Sequence, residues 1–195
     1  VDGDTLTFQA SVDANGSANV DGNTLSVIPS SNFNGSITVS VVASDGQASG
    51  SGSFTLTVSS VNDAPILSSL DDQVIEEDSS LTVELSADDI EGDMLTYSAT
   101  NGDADIIVDG TTLTITPPSN YNGSDDVTVI VTDGDLSDST AFTLTVTPVN
   151  DVPALDDLAD ASVDEDNTYT LELSGSDVDG DTLTFQASVD ANGSA

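Results

Sequence analysis

The sequence predicts an all-β fold: tandem seven-stranded β-sandwiches in an extended array. Three observations carry that expectation. Apolar and polar residues alternate with period two, and Val, Ile, Leu and Thr dominate the runs. Asp-Gly, Asn-Gly and Pro-Pro pairs punctuate these runs at the spacing of short strands, and no stretch carries a helical period. The chain also repeats itself. Residues 1–18, VDGDTLTFQASVDANGSA, recur unchanged at 178–195, and diverged landmarks recur about 88 residues apart, enough for about seven strands.

Residues 1–61 read as the C-terminal part of one repeat. Its Val1-Asp2-Gly3-Asp4-Thr5-Leu6-Thr7-Phe8 matches Ile90-Glu91-Gly92-Asp93-Met94-Leu95-Thr96-Tyr97, and Asn32-Phe33-Asn34-Gly35 matches Asn120-Tyr121-Asn122-Gly123. Residues 62–65, Asn62-Asp63-Ala64-Pro65, read as a linker, since proline fixes φ and removes a donor. Residues 66–149 form a complete repeat. Leu81, Val83 and Leu85 alternate along one strand, Val127, Val129 and Val131 along another, and Phe142, Leu144 and Val146 along a third. Residues 150–153 repeat the linker, and 154–195 read as the N-terminal part of a third repeat. The chain opens on Val1-Asp2-Gly3-Asp4 rather than on a signal peptide, so these residues read as a window on a longer tandem array.

Composition excludes several functions. The chain has 195 residues, 36 Asp plus Glu, no Lys, Arg or His, and a formal charge of −36. Without cations it has nothing with which to grip nucleic-acid phosphates or anionic lipid. Catalysis by His, Cys or Lys has no residue to perform it, and a glycosidase carboxylate pair would lack a sugar-stacking Trp, so no enzyme is expected. No apolar run reaches the length of a membrane span. High charge with 36% hydrophobic residues would suit a disordered chain, but the alternation and repetition argue for a folded one.

Thirty of the 36 acids are Asp, a short side chain suited to loop ligands of a hard cation. Calcium takes six to eight oxygens from carboxylates, carbonyls and amides. Three clusters have that density: Glu76-Glu77-Asp78; Asp89-x-Glu91-x-Asp93, echoed at Asp177-x-Asp179-x-Asp181 and at Asp2 and Asp4; and Asn62-Asp63, echoed at Asn150-Asp151. Asp45 and Asp133 follow the most apolar strand of each repeat. Against this stand the simpler readings. Asp71, Asp72, Asp125, Asp156, Asp157 and Asp160 read as solvated loop acids, and the Asn-Gly and Asp-Gly pairs also suit tight turns.

The complete repeat resembles a cadherin-type repeat in its bacterial form, the cadherin-like and immunoglobulin-like tandem repeats of large calcium-binding, RTX-type surface adhesins. Glu76 and Glu77 stand where such repeats carry their early acid. Ala87-Asp88-Asp89-Ile90-Glu91 and Gly175-Ser176-Asp177-Val178-Asp179 resemble the Ala-x-Asp-x-Asp motif. Val131-Thr132-Asp133-Gly134 resembles the strand that ends in Asp-Gly, and Val149-Asn150-Asp151-Val152-Pro153 a shortened linker. The first linker Asp is replaced by Ser60 and Pro148, and the Asp-Arg-Glu motif is missing, so fewer ions per junction are expected. The resemblance implies Greek-key sandwiches with calcium (Ca2+) at the junctions. The first junction would use Asn62, Asp63, Asp89, Glu91 and Asp133, and the second Glu76 or Glu77, Asn150, Asp151, Asp177 and Asp179. It further implies an extracellular or cell-surface stalk whose partners are neighbouring repeats of the same chain. A second reading makes the chain a subunit of an extracellular filament or biofilm matrix fibre, with identical chains as partners.

Overall fold

A computed structural model describes residues 5–102 and 104–188. Asp2 and Asp4, part of the acidic echo, lie outside the described residues, as do 189–195 of the unchanged repeat. The described residues hold sixteen strands and no helix. The all-β expectation is met. The chain divides into two compact units: Val1–Ile66 with Asp88–Leu95 and Thr132–Ser137, and Leu67–Ala87 with Thr96–Val131 and Asp138–Ala195.

The first unit contains β1 (Thr7–Val12), β2 (Gly16–Asp21), β3 (Thr24–Pro29), β4 (Gly35–Ser44) and β5 (Ser49–Val58). Strands β1, β4 and β5 make an antiparallel sheet with β4 in the middle, and β2 and β3 make a hairpin. The hairpin register sets Asp21 opposite Thr24, leaving a two-residue loop. Gly22 there has φ 58°, which the turn requires and glycine supplies without strain. Ile37 and Val39 of β4 are fully buried. Leu25, Val27, Leu56 and Val58 are only half-buried, and Phe54 is 48% exposed.

The second unit carries a two-sheet sandwich. Its main strands are β7 (Gln73–Glu76), β8 (Leu81–Glu84), β10 (Thr96–Thr100), β11 (Asp105–Asp109), β12 (Thr112–Thr116), β13 (Gly123–Thr132) and β14 (Ser137–Thr147); β6 (Ile66–Leu67) and β9 (Ala87–Asp88) are two-residue strands. One sheet runs β10-β13-β14-β7 and the other β11-β12-β8. Early strand β7 lies parallel to the repeat's last strand, β14, from Leu144 opposite Gln73 to Thr147 opposite Glu76. Burial alternates along β12 and β14, and along β13 from Ser124 onward, as period two requires of a strand with one face in a core. Leu81, Leu113 and Ile115 meet Val127, Val129, Val131, Phe142, Leu144 and Val146 in that core, none more than 9% exposed.

After the second linker, among the described residues, only β15 (Ala154–Leu155) and β16 (Gly175–Ser176) form, paired antiparallel. Thr168–Leu173 alternates as cleanly as any strand in the sequence, yet it forms none. The cause lies in the ladder. One repeat earlier, β7 is held by β14 and β8 by β12. Among the described residues, the third copies of β7 and β8 pair with no strand.

Backbone geometry repeats with the sequence. Asn32 and Asn120 have φ 58° and 57°, Asp78 and Asp166 59° and 65°, and Gly92 and Gly180 both 77°. Positive φ is uncommon outside glycine, and Asn and Asp tolerate it best.

Candidate functional site

The acidic residues singled out in the sequence collect at the two linkers. At the first, Asn62 Nδ2 donates to Asp133 Oδ2 at 2.8 Å. Asp133 Oδ1 accepts from the backbone N–H groups of Asp135 and Leu136, both at 2.7 Å. Asp133 thus builds the Asp-Gly turn with one oxygen and receives the linker amide with the other. The Leu136 N–H above all, then the Asn62 amide and the Asp135 N–H, hold its pKa below the ordinary value. Asp45 builds the same turn one repeat earlier, accepting from Gln47 and Ala48, and the Ala48 N–H chiefly lowers its pKa. The turn reading of the Asp-Gly pairs therefore holds, and Asp133 carries a linker contact in addition.

Asp63 N–H donates to Glu91 Oε2 at 3.2 Å, and Asp93 N–H to Asp89 Oδ1 at 3.0 Å. The loop between Asp89 and Asp93 closes through Gly92 at positive φ. Asp89 Oδ2 is buried and has no hydrogen-bond partner. Asp63, Asp89 and Asn32 line one cleft of about 350 Å³, beside Ala64 and Ile66.

The second linker repeats this arrangement. Asp151 N–H donates to Asp179 Oδ2 at 2.7 Å, and Asp181 N–H to Asp177 Oδ1 at 3.1 Å, with Gly180 taking the place of Gly92. Glu77, 5% exposed, accepts the Val149 N–H at 2.5 Å and donates its own N–H to Thr147 O at 2.9 Å. Between Glu76 and Glu77, the structure puts Glu77 at the linker; Glu76 is exposed at the end of β7. Asn150 Nδ2 turns back to Asp151 O at 2.7 Å.

Asp78, from the Glu76-Glu77-Asp78 cluster, and Asn120, outside the sequence-derived set, join this linker. Asn120 N–H donates to Asp78 Oδ1 at 3.0 Å. With its amide nitrogen turned toward the acids, Asn120 reaches Asp78 Oδ2 and Asp151 Oδ2, each at 3.3 Å. Partial burial, then the charges of Asp179, Asp78, Glu77 and Asp177, push the Asp151 pKa above its ordinary value. The available signal was positional: Asn32 and Asn120 hold the same positive-φ corner in successive repeats.

Among the described residues, no three acidic side chains converge into a ready-made metal cage. What the linkers offer is a mixed oxygen set, in which carboxylates held by backbone N–H groups stand beside linker carbonyls and Asn amides. One buried carboxylate oxygen, Asp89 Oδ2, is left without a donor.

Sandwich, repeating backbone and acid-lined linkers together define a tandem immunoglobulin-like repeat region. The family model described as "Bacterial Ig domain" matches residues 1–59 and 62–147, and the chain belongs to that family. Chitinase A of Pseudoalteromonas piscicida is 34% identical over 116 residues, covering 57% of this chain. The match spans 14% of the length of that protein. Among solved structures, human protocadherin-24 EC1-2 aligns with 77% of this chain and 84% of its own, at 15% identity and TM-score 0.47. An endo-fucoidan hydrolase from glycoside hydrolase family 107 aligns with 75% of this chain and 24% of its own, at 22% identity and TM-score 0.35.

Proposed function

We propose that the chain is a calcium-stiffened, non-catalytic spacer in a large secreted or cell-surface bacterial protein, holding a distal module away from the cell as the stalk of an adhesin does. One observation carries this reading: the linker-to-loop bond recurs, Asp63 N–H to Glu91 and Asp151 N–H to Asp179, each with the acidic loop folded on its own first Asp. A loop acid bound to linker backbone ties the conformation of the linker to the charge state of the junction. Calcium fits the oxygen donors, and the partnerless Asp89 Oδ2 suits a hard cation. Asn62, Asp63, Asp89, Glu91 and Asp133 would hold it at the first linker, and Glu77, Asp78, Asn120, Asp151, Asp177 and Asp179 at the second. Its role there is electrostatic. It neutralises carboxylates that no protein cation can offset, and it bridges linker to loop.

The match within a chitinase supports a second setting for the same role, a spacer between modules of a secreted polysaccharide-degrading enzyme. Both settings require the stiffening. Small-angle scattering of the chain in millimolar calcium should give a longer maximum dimension than in EDTA, and Asp89→Asn should weaken the response. Identical profiles in calcium and EDTA would reject calcium stiffening in either setting.

A further inference from the structure

Four Asn-Gly pairs lie among the described residues: Asn15-Gly16, Asn34-Gly35, Asn101-Gly102 and Asn122-Gly123. In such a pair the glycine nitrogen can reach the carbonyl carbon of the Asn side chain, because no Cβ stands in the way. Whether it does so depends on how firmly the backbone is held. Three of the pairs are held. Gly16, Gly35 and Gly123 are each the first residue of a strand, β2, β4 and β13 respectively. Gly16 lies against the backbone of β3, where a Cβ would come within 2.7 Å of Ile28 O. Gly35 and Gly123 lie under Phe33 and Tyr121, where a Cβ would meet Phe33 Cζ at 3.3 Å and Tyr121 Oη at 2.9 Å.

Gly102 differs on each count. It lies outside any strand, between β10 and β11, and a Cβ there would meet only the Asp125 carboxylate, at an ordinary 3.6 Å. The Asn101 side chain is primed as well. Its Oδ1 accepts the Ala104 N–H at 3.2 Å, which draws electron density from Cγ. Its Nδ2 is buried and has no acceptor among the described residues, so nothing holds the amide nitrogen. Buried donors are rarely left so. In the preceding repeat the residue just after the corresponding strand, Asp13 after β1, is an acid. Both its oxygens accept backbone N–H groups, from Asn15 at 3.4 Å and Thr38 at 2.9 Å. That position suits a group that only accepts, and Asn101 brings a donor to it.

We infer that Asn101-Gly102 is a self-modification site, which loses its amide while the other three pairs persist. The Gly102 nitrogen gives its proton to solvent base and attacks Asn101 Cγ. The new N–C bond closes a cyclic imide, the bond from Cγ to Nδ2 breaks, and that nitrogen leaves as ammonia with a proton from solvent. Water then opens the imide at either carbonyl. One product is Asp at 101. The other is isoaspartate, which routes the main chain through the side-chain carbon. Water is the one co-reactant, nothing is oxidised or reduced, and loss of ammonia makes the change one-way. Each event adds a carboxylate to a loop that runs into Asp105 and stands beside Asp125. The inference rests on local geometry and stands apart from the spacer reading.

The full chain, kept warm in mildly alkaline heavy-oxygen water with calcium, provides the test. Each conversion takes up one labelled oxygen. Chymotrypsin then releases residues 98–113, between Tyr97 and Leu113, in which Asn101 is the only Asn. This peptide should gain label several-fold faster than those carrying Asn15, Asn34 or Asn122, with tandem mass spectrometry placing the label. In urea, which frees every backbone, the four pairs should react at similar rates. Gly102→Ala should remove most of the labelling at 101, and circular dichroism should show the fold unchanged. Equal labelling of the four pairs in the folded chain would overturn the inference, as would faster labelling at another pair. So would a folded chain that stays unlabelled at 101 while the urea-unfolded chain reacts there, or a folded Gly102→Ala chain that labels as fast as the wild type.

Discussion

Asp133 and Asp151 are both linker acids, yet their surroundings push them in opposite directions. Asp133 accepts three hydrogen bonds, so its folded pKa lies below the ordinary value of 3.8. Its contribution to stability is present above that value and is lost as pH falls through its lower, folded pKa. Asp151 meets partial burial and four neighbouring acids and is raised, so ionising it costs the folded state stability. That cost is present above its folded pKa and is relieved as pH falls through it. Carboxyl-carbon NMR in EDTA should place the Asp151 midpoint above that of Asp133, and calcium should draw the Asp151 midpoint down. A midpoint that ignores calcium would remove Asp151 from the ligand set. At this scale the sequence was legible where residue types repeat: Asn62, Asp63, Glu91 and Asp133 were all marked by spacing. Asp78 was marked only as a member of the Glu76-Glu77-Asp78 cluster, and Asn120 was not marked as a ligand, because their place depends on a positive-φ backbone that brings them beside Asp151.

At the scale of strands, period two revealed β13 and β14 because one of their faces is wholly buried. Strand β7 is four residues long with Val74 and Ile75 adjacent, and only its ladder with β14 makes it a strand. Thr168–Leu173 shows the converse, alternation without a partner. Pairing therefore sets how much a core residue contributes, and Phe142 and Phe54 test this at equivalent positions on β14 and β5. Phe142→Ala removes a ring that is 3% exposed and should cost about 3–5 kcal/mol, whereas Phe54, at 48% exposure, should cost less than half as much. The readout separates the units, since Tyr97, Tyr121 and Tyr169 all lie in the second. Urea unfolding followed by tyrosine fluorescence should move to a lower midpoint for Phe142→Ala and stay put for Phe54→Ala. Equal shifts would mean that the two units unfold as one.

For the whole molecule, the charge of −36 with no basic residue is a self-repulsion that the fold must tolerate. Two effects of added ions have to be distinguished. Screening depends on ionic strength, and at about 0.15 M salt the Debye length is already near 8 Å, so about 1 mM calcium changes it negligibly. Site binding depends on calcium itself. With dissociation constants of about 10⁻⁴–10⁻³ M, typical of extracellular calcium modules, about 1 mM calcium stabilises by about 0.4–1.4 kcal/mol per ion bound. For domains of this size that corresponds to a rise of a few degrees in melting temperature. Thermal melts at fixed salt should therefore show a step on adding calcium that an equal ionic strength of sodium chloride does not reproduce. Molar sodium chloride in EDTA should raise the melting temperature gradually, without a step. If sodium chloride matched calcium at equal ionic strength, the acidity would be a matter of salt tolerance and the linker oxygens would have no calcium to hold.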